Sequence, residues 1–510
     1  MSISQLVRGY RPLVAVAAPI TGIQVAQIAL TTTDLIMLGS MSVAAIAAGG
    51  LAITLYNQLR TMCVGVITAV GNMVAKAVGS GESRGGEDTP DQRAHDEVRQ
   101  VVRAAFLVAT LVAALGGLVL VALSYALTFF GQDSAVLDLA RPMMMALAPG
   151  LIPMLWLNAL RQFAVGMRRP GSLLGVTIVS VAINAVLDGA FINGWFGFPV
   201  LGLVGVGLAT TSVQVLNFAA FYVIVRRDQT LAPLLSVAGW KADAATAGRI
   251  VRLGVPICLT YGSEAGITSV ATLLMGAFGP VVLAANNIVT QMAYIVYQIN
   301  IGLSQGSSIL ISRAVGQDKR HEAGLIARKA LSLSTLAMAL VAVVYALVPD
   351  WLLGLFLNGN ADPALLEVGE LLMVFAVFHQ FLKGTQNISV GLLRGLGNTK
   401  VGFRMSLIGY WAIGLPVMLA CAFALGLHGP GVWIGLCTGF GATAALLLHK
   451  FRQDVHTENA TALSAATSSS QGAANETTGP LQPVHRQFSG TLDLPAEQTR
   501  PIPRTTNKDL

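Results

Sequence analysis

The chain has 510 residues, of which 54% are hydrophobic and only 11% charged, with a formal net charge of +7. A soluble globular domain carries about 25% charged residues, so most of this protein does not face bulk water. The excess positive charge falls between apolar runs and forms no groove-binding patch, which argues against nucleic acid and for anionic lipid headgroups as its partner. The 54 glycines suit helices that pack closely in lipid. The cysteines at 63, 258, 421 and 437 stand singly inside apolar runs, with neither metal spacing nor a disulfide framework.

Twelve apolar runs are long enough to cross a ~30 Å hydrocarbon layer. They lie at roughly 12–39, 43–79, 98–130, 135–165, 172–194, 199–225, 249–276, 281–315, 324–357, 364–393, 401–426 and 430–449. The opening MSISQLVRGYR leads into a run too long for a signal h-region, so no cleavable signal is expected.

The first run holds a single acid, Asp34, after Thr31, Thr32 and Thr33. A carboxylate in hydrocarbon costs about 3 kcal/mol even on lenient scales, so it should face protein or water. There it either exchanges a proton or cation, or serves as a structural acceptor satisfied by Thr31 or a neighbouring helix. The second run places Tyr56 and Arg60 in YNQLRTM. In the fifth, Asn184 and Asp188 are four residues apart in SVAINAVLDGAFING, on one face of a helix. If that face meets Asp34, two carboxylates in one pocket would share protons; the alternative puts Asp188 near water at the helix end.

Glu264 lies in the seventh run, in LTYGSEAGITS, either serving an ion or a cationic substrate or closed in an internal salt bridge. The tenth run holds Lys383, which needs a counter-ion there, Glu264 being the candidate, or must snorkel to the interface. Gln27, Gln291, Tyr294, Gln298 and Gln386, with Tyr56, Arg60 and Lys383, are the expected lining of a substrate cavity. Gln24, Gln58, Gln305 and His379 add further polar groups. No P-loop, zinc motif or nucleophile triad appears, so no enzyme is expected and the drive for any transport must be an ion gradient.

Basic residues cluster at 8–11, 76–103, 168–169, 226–252, 313–329, 394–404 and 450–452, in alternate connections. The other connections carry Arg141 and the acids Asp350, Asp362, Glu367 and Glu370. By the positive-inside rule both termini are cytoplasmic.

The chain also repeats itself. Pro19 and Pro256 stand 237 residues apart, and at that offset Gly39 meets Gly276, Gly65 meets Gly302, and Lys76 with Ala77-Val78-Gly79 meets Arg313 with Ala314-Val315-Gly316. Val165-Gly166 resembles Val390-Gly391 at a shorter offset. The expected fold is an all-α polytopic membrane protein, twelve transmembrane helices in two six-helix lobes related by pseudo-two-fold symmetry, with a cavity between them. The expected segments are an N-lobe at 1–230, a linker at 231–245, a C-lobe at 246–450 and a polar, disordered cytoplasmic tail at 451–510.

With AAPITGIQVAQ and TTTDLIMLG in the first helix, INAVLD in the fifth, RLGVPICLTYGSE opening the second lobe and VGLLRGLGNTK after the tenth, the chain resembles the MATE (multidrug and toxic compound extrusion) family over about residues 8–450. The resemblance implies a secondary exporter driven by H⁺ or Na⁺, with lobes that open alternately. It places an ion-coupling set on Asp34, Asn184 and Asp188, where Na⁺ would also bind if it is the coupling metal ion, and a second-lobe acid on Glu264. Lys383 stands where the Na⁺-coupled branch resembles an acidic residue, which favours H⁺ coupling and a less negative second lobe. The expectation is a monomeric antiporter of a bacterial cytoplasmic (inner) membrane, exporting a small organic compound with no cofactor beyond the ion. The alternatives are a flippase for a lipid-linked or amphipathic metabolite, and an uncoupled channel or membrane receptor.

Overall fold

A computed structural model describes residues 3–39, 43–85, 91–130, 134–197, 199–354 and 363–476. Asp362, the tail beyond 476 and the last residues of the expected ninth span lie outside the described residues. Among the described residues there are twelve long helices: α1 Ile3–Gly39, α2 Val43–Gly85, α3 Gln92–Ala126, α4 Ser134–Gly166, α5 Gly171–Asn193 and α6 Gly202–Arg227. They continue as α7 Ala244–Ala277, α8 Pro280–Gly316, α9 Ala323–Leu347, α10 Pro363–Gly395, α11 Thr399–Ala424 and α12 His428–Glu476. No strand occurs among the described residues.

Local chemistry sets the helix ends. Asp91 and Asp243 cap α3 and α7, each carboxylate accepting from the first amides of its helix. The Thr246 hydroxyl, with the amides of Thr246 and Ala245, holds the exposed Asp243 carboxyl below the usual carboxylate range. Gly194 ends α5 in the left-handed region at φ 74°, where a side chain would be strained. Pro416 stands between two π-helical stretches of α11, at 408–414 and 420–424.

Ten of the twelve helices are long and apolar enough to cross a membrane on length and composition alone. The two outside that set are α7 and α8, which carry Glu264 and the amides of Asn286, Gln291, Gln298 and Asn300. Their polarity belongs to the interior. The lipid-facing surface falls elsewhere, on residues such as Leu111, Leu115 and Leu118 of α3 and Leu336, Leu340 and Val343 of α9, all exposed.

Each lobe has its own apolar core. Phe106, Met143, Met144, Phe163 and Phe221 pack together in the first. Met275, Tyr410, Trp433 and Phe440 do so in the second. The lobes meet at the Lys/Arg-rich ends of α1, α2, α7 and α8, within one compact unit covering residues 1–459. A Cβ on Gly65 would stand 2.8 Å from Cys258 Cα, and one on Gly302 would strike Thr21 Oγ1. One on Gly79 would strike the Arg313 carbonyl, and one on Gly316 the Lys76 carbonyl. Each pair of contacts is one contact seen twice, since a shift of 237 turns 21 into 258, 65 into 302, 76 into 313 and 79 into 316. The repeat is therefore a physical two-fold: α2 crosses α7 as α8 crosses α1.

The resemblance of Val165-Gly166 to Val390-Gly391 does not survive. Gly166 packs on Gly71 and Val74, whereas Gly391 packs on Ser304, and 71 and 304 are not partners at the offset of 237. Of the expected tail at 451–510, α12 covers the part up to Glu476, and the rest lies outside the described residues. Lys450 bridges Asp454 at 2.9 Å one turn on, and Asn398 donates to Asp454 at 2.9 Å, which together carry the helix past the apolar span.

The reciprocal crossing yields a test. Gly79→Ala drives a methyl into the Arg313 backbone and should cost about 1–3 kcal/mol, seen as a lower Tm of the purified protein. Gly248→Ala, where nothing lies within 4 Å, should leave Tm unchanged or raise it. Equal Tm values for the two variants would contradict the packing described.

Candidate functional site

The N-lobe carries the first site. Asp34 on α1 is 5% exposed, and Asn184 and Asp188 on α5 are fully buried. The four-residue spacing does bring the α5 pair together, with Asn184 Nδ2 donating to Asp188 Oδ2 at 3.2 Å. Asp188, Asn184 and Thr210 of α6 are the polar neighbours of Asp34, and Arg60 is the cation that acts on it. Thr31 does not satisfy Asp34; its hydroxyl donates to the Gln27 carbonyl at 3.3 Å. One carboxylate oxygen of Asp34, one of Asp188 and the Asn184 amide oxygen are buried without a donor. Three free acceptors in one pocket are what a proton or a small cation would fill. The pocket is walled by Tyr56, Thr177, Ser180, Gln214 and Asn217, and is shared at its mouth with Gln27 and Arg60. No cluster of three His, Cys, Asp or Glu side chains occurs among the described residues.

Between the lobes lies a larger cavity of about 590 Å³. Of the eight residues expected to line it, Gln27, Arg60, Gln291, Tyr294, Gln298 and Lys383 do so. Tyr56 faces the N-lobe pocket instead. Gln386 lines neither cavity and is 1% exposed. Three residues beyond Lys383, it is turned about 60° from it around α10, on the side away from Asn387, which does line the cavity.

The second-lobe acid has a partner. Glu264 Oε1 lies 3.3 Å from Lys383 Nζ, both side chains being largely covered. Tyr297 donates to the same oxygen at 3.3 Å, and Asn387 donates to the Tyr297 hydroxyl at 2.5 Å. The ammonium also sits 4.2 Å from the centroid of the Tyr297 ring. Lys383 therefore does not snorkel. His379 lines the same cavity, edge-on to Trp433 and Phe440, with both ring nitrogens unpartnered.

Sequence reasoning missed two arginines of this cavity. Arg161 on α4 is 7% exposed and Arg394 on α10 is 4% exposed, and both line it. An arginine inside an expected span was the available signal for Arg161. Arg394 was masked by the basic cluster that begins at it in sequence.

At the Lys/Arg-rich end the cavity is closed. Glu82 at the end of α2 pairs with Arg313 at the end of α8 and accepts from Gln317 Nε2 at 2.7 Å. Asn72 donates across the lobes to the hydroxyls of Ser308 and Ser312, each at 2.8 Å.

Fold and site define a multi-pass membrane protein of the carrier type, two repeated lobes about a central chamber with a buried acid pair in one lobe. The chain belongs to the MATE family: the family model described as MatE matches residues 19–189 and 256–419. The "Probable multidrug resistance protein NorM" of Pseudomonas aeruginosa is 32% identical over 491 residues, covering 95% of this chain and 97% of the relative. A protein of the same description from Rhizobium meliloti is 34% identical over 449 residues, covering 87% and 93%. A mutant of the Vibrio cholerae MATE transporter VcmN superposes with a TM-score of 0.77 at 17% identity, covering 89% of this chain and 98% of its own, a likeness of fold alone. Such relatives are transporters and not enzymes.

The Glu264–Lys383 contact predicts a coupling. Glu264→Gln and Lys383→Met should each lower Tm, because each strands a covered charge, and the double variant should recover about 1 kcal/mol or more of the summed loss. Strict additivity in the thermal denaturation cycle would show that the two groups do not interact.

Proposed function

We propose that this chain is a proton-coupled antiporter of the bacterial inner membrane that exports small organic compounds by alternating access. The observation that carries the reading is the pairing of Asp34 with Asp188 and Asn184 in a buried pocket opening beside the central cavity. Two carboxylates held that close cannot readily both ionise and share a proton between them. Protonation therefore changes the charge of a packed helix junction of α1, α5 and α6. The ion must prefer one arrangement of the lobes, otherwise it moves no equilibrium.

H⁺ is the better fit than Na⁺. The second-lobe acid already has the Lys383 ammonium against it, leaving the N-lobe set as the coupling site, where two carboxylates side by side suit a shared proton. The descriptions of the curated relatives as probable multidrug resistance proteins support drug-like compounds as cargo. With basic connections on the cytoplasmic side, both termini are cytoplasmic, and the lobe contacts at Glu82–Arg313 and Asn72 close the inner face, so this arrangement is outward-open. The working unit is a monomer in anionic lipid with no bound cofactor.

A flippase for an amphipathic anion is the second reading, favoured by the four cations Arg60, Arg161, Lys383 and Arg394 on the cavity wall. Counterflow of a water-soluble dye in lipid vesicles separates the two, since a flippase supports none.

Asp34→Asn should abolish dye efflux driven by an imposed ΔpH while the protein purifies as a folded, monodisperse species. ΔNa⁺ alone should drive no efflux in the unmodified protein. Full ΔpH-driven efflux in Asp34→Asn, or efflux driven equally by ΔNa⁺, would remove the proposed coupling.

A further inference from the structure

The charges of the central cavity do not balance. Four cations line it, Arg60, Arg161, Lys383 and Arg394, against the single carboxylate of Glu264, which Lys383 occupies. Arg60 faces the neighbouring pocket of Asp34. That leaves Arg161 and Arg394. Among the described residues no carboxylate lies within 4 Å of either. Their contacts are all to neutral groups. Arg161 Nη1 donates to Gln24 Oε1 at 3.3 Å, and its Nε has no acceptor. Arg394 Nε donates to Ser308 Oγ at 3.2 Å and Nη1 to the Tyr261 hydroxyl at 3.4 Å.

Their acceptors are matched by the two-fold, since Gln24 and Tyr261 are 237 residues apart. The arginines themselves are one helical turn out of register: Gly166 packs on Gly71 and Val74 as Gly395 packs on Ser308 and Ile311, 237 residues on, so Arg394 matches Val165. Both lie toward the Lys/Arg-rich ends of their helices, where Asn72 and Ser308 close the chamber. Tyr261 bonds one of them and lies in the electrostatic field of the other.

A covered charge without a counter-charge is costly, and Arg60 adds its own positive field at Arg161. An anion bound to these guanidiniums removes the penalty. A guanidinium presents a planar fork that fits a carboxylate with two parallel hydrogen bonds. The remaining wall includes Tyr294, Tyr297 and Trp433, and the volume suits a drug-sized molecule.

We propose that Arg161 and Arg394 form an anion-accepting floor of the central cavity, and that the exported compound is a carboxylate-bearing aromatic molecule, an organic acid or zwitterion, held by that carboxylate. This rests on the export reading of the cavity given above.

The test is equilibrium binding by fluorescence polarisation to the full chain in detergent, with no gradient. The probes are rhodamine B, a zwitterion with a free carboxylate, and its ethyl ester, a cation on the same ring system. The free acid should bind at least tenfold more tightly than the ester. Arg161→Gln and Arg394→Gln should each cut that ratio severalfold by weakening the acid alone, with Arg→Lys at either place falling between. Ester binding as tight as the acid in the unmodified protein, or a ratio unchanged in both Gln variants, would overturn the proposal. If the Gln variants do not purify as folded protein, the unmodified protein decides it: benzoate should displace rhodamine B and benzamide should not, and the reverse refutes the floor. Displacement by dioctanoylphosphatidylglycerol and not by benzoate would reject the organic acid in favour of a lipid headgroup. Because no gradient is present, failure of the Asp34 coupling leaves this result untouched, and a missing acid preference leaves the coupling untouched.

Discussion

Hydrocarbon cannot solvate a charge, and that constraint decides how every helix of this protein is turned. Asp34, Arg60, Arg161, Asp188, Glu264, Lys383 and Arg394 all lie within long apolar helices. None of them is exposed on the outer surface. Pointing any one at lipid would cost about 3 kcal/mol on the lenient scale and more on others. The cheapest arrangement is a closed ring of helices with these residues inside and the leucine faces of α3 and α9 outside. The same reasoning explains α7 and α8, too polar to pass as membrane spans in isolation. Their amides face a chamber that holds polar surface away from the hydrocarbon. The chamber is thus what the polar residues require as much as something they decorate.

The second requirement is that two lobes stay in contact while being able to part. Small residues provide this. Gly65, Gly79, Gly302 and Gly316 bring backbones together where any side chain would collide. Such crossings bury little apolar side-chain surface, so separating them exposes little. The stronger lobe-to-lobe contacts are polar and confined to one end, Glu82 with Arg313 and Asn72 with Ser308 and Ser312. Polar contacts can be exchanged for water when that end opens, which an apolar seam of the same area could not do without penalty. In the proposed cycle this end is the inner gate, and the two-fold ensures that α1 and α7 tilt in equivalent ways.

Most of the architecture was legible in the sequence because its signals are long. Twelve apolar runs, an alternation of basic connections and a 60-residue ungapped repeat each integrate over many positions, so local errors cancel. The Asn184–Asp188 pair was legible for a different reason: the two are fixed relative to each other by helix geometry alone. What stayed hidden depended on which way a helix is rotated. Gln386 and Gln380 belong to the same amide-rich helix, yet Gln380 reaches the cavity and Gln386 does not. No periodicity distinguishes them when both faces are covered by protein. Arg394 was hidden by its neighbours, since it is the last charge inside the membrane and the first of a basic cluster. The helical stretch past residue 451 was hidden because composition speaks of solubility and is nearly silent on whether a helix already started will continue.

The two lobes share a scaffold and differ in what it holds. In the first, the acids Asp34 and Asp188 face each other, with the nearest cation acting at a distance and several oxygens left without donors. In the second, Glu264 has an ammonium tethered against it and a tyrosine hydroxyl on the same oxygen. An acid without a fixed partner can exchange its charge with solution; an acid whose partner is tethered on another helix of the same chain, as Lys383 on α10 is to Glu264 on α7, has lost that freedom, because the local concentration of its partner never falls. The acids are not counterparts under the repeat, since a shift of 237 takes Asp34 to Ala271 and Glu264 to Gln27, so the duplicated scaffold carries two pockets that differ in place as well as in charge. One is free to take up an ion. The other already has its cation, the Lys383 ammonium. The arginines at the base of each lobe then complete a chamber that is positive overall beside a pocket that is acidic, and a molecule carrying both signs of charge would find a partner for each.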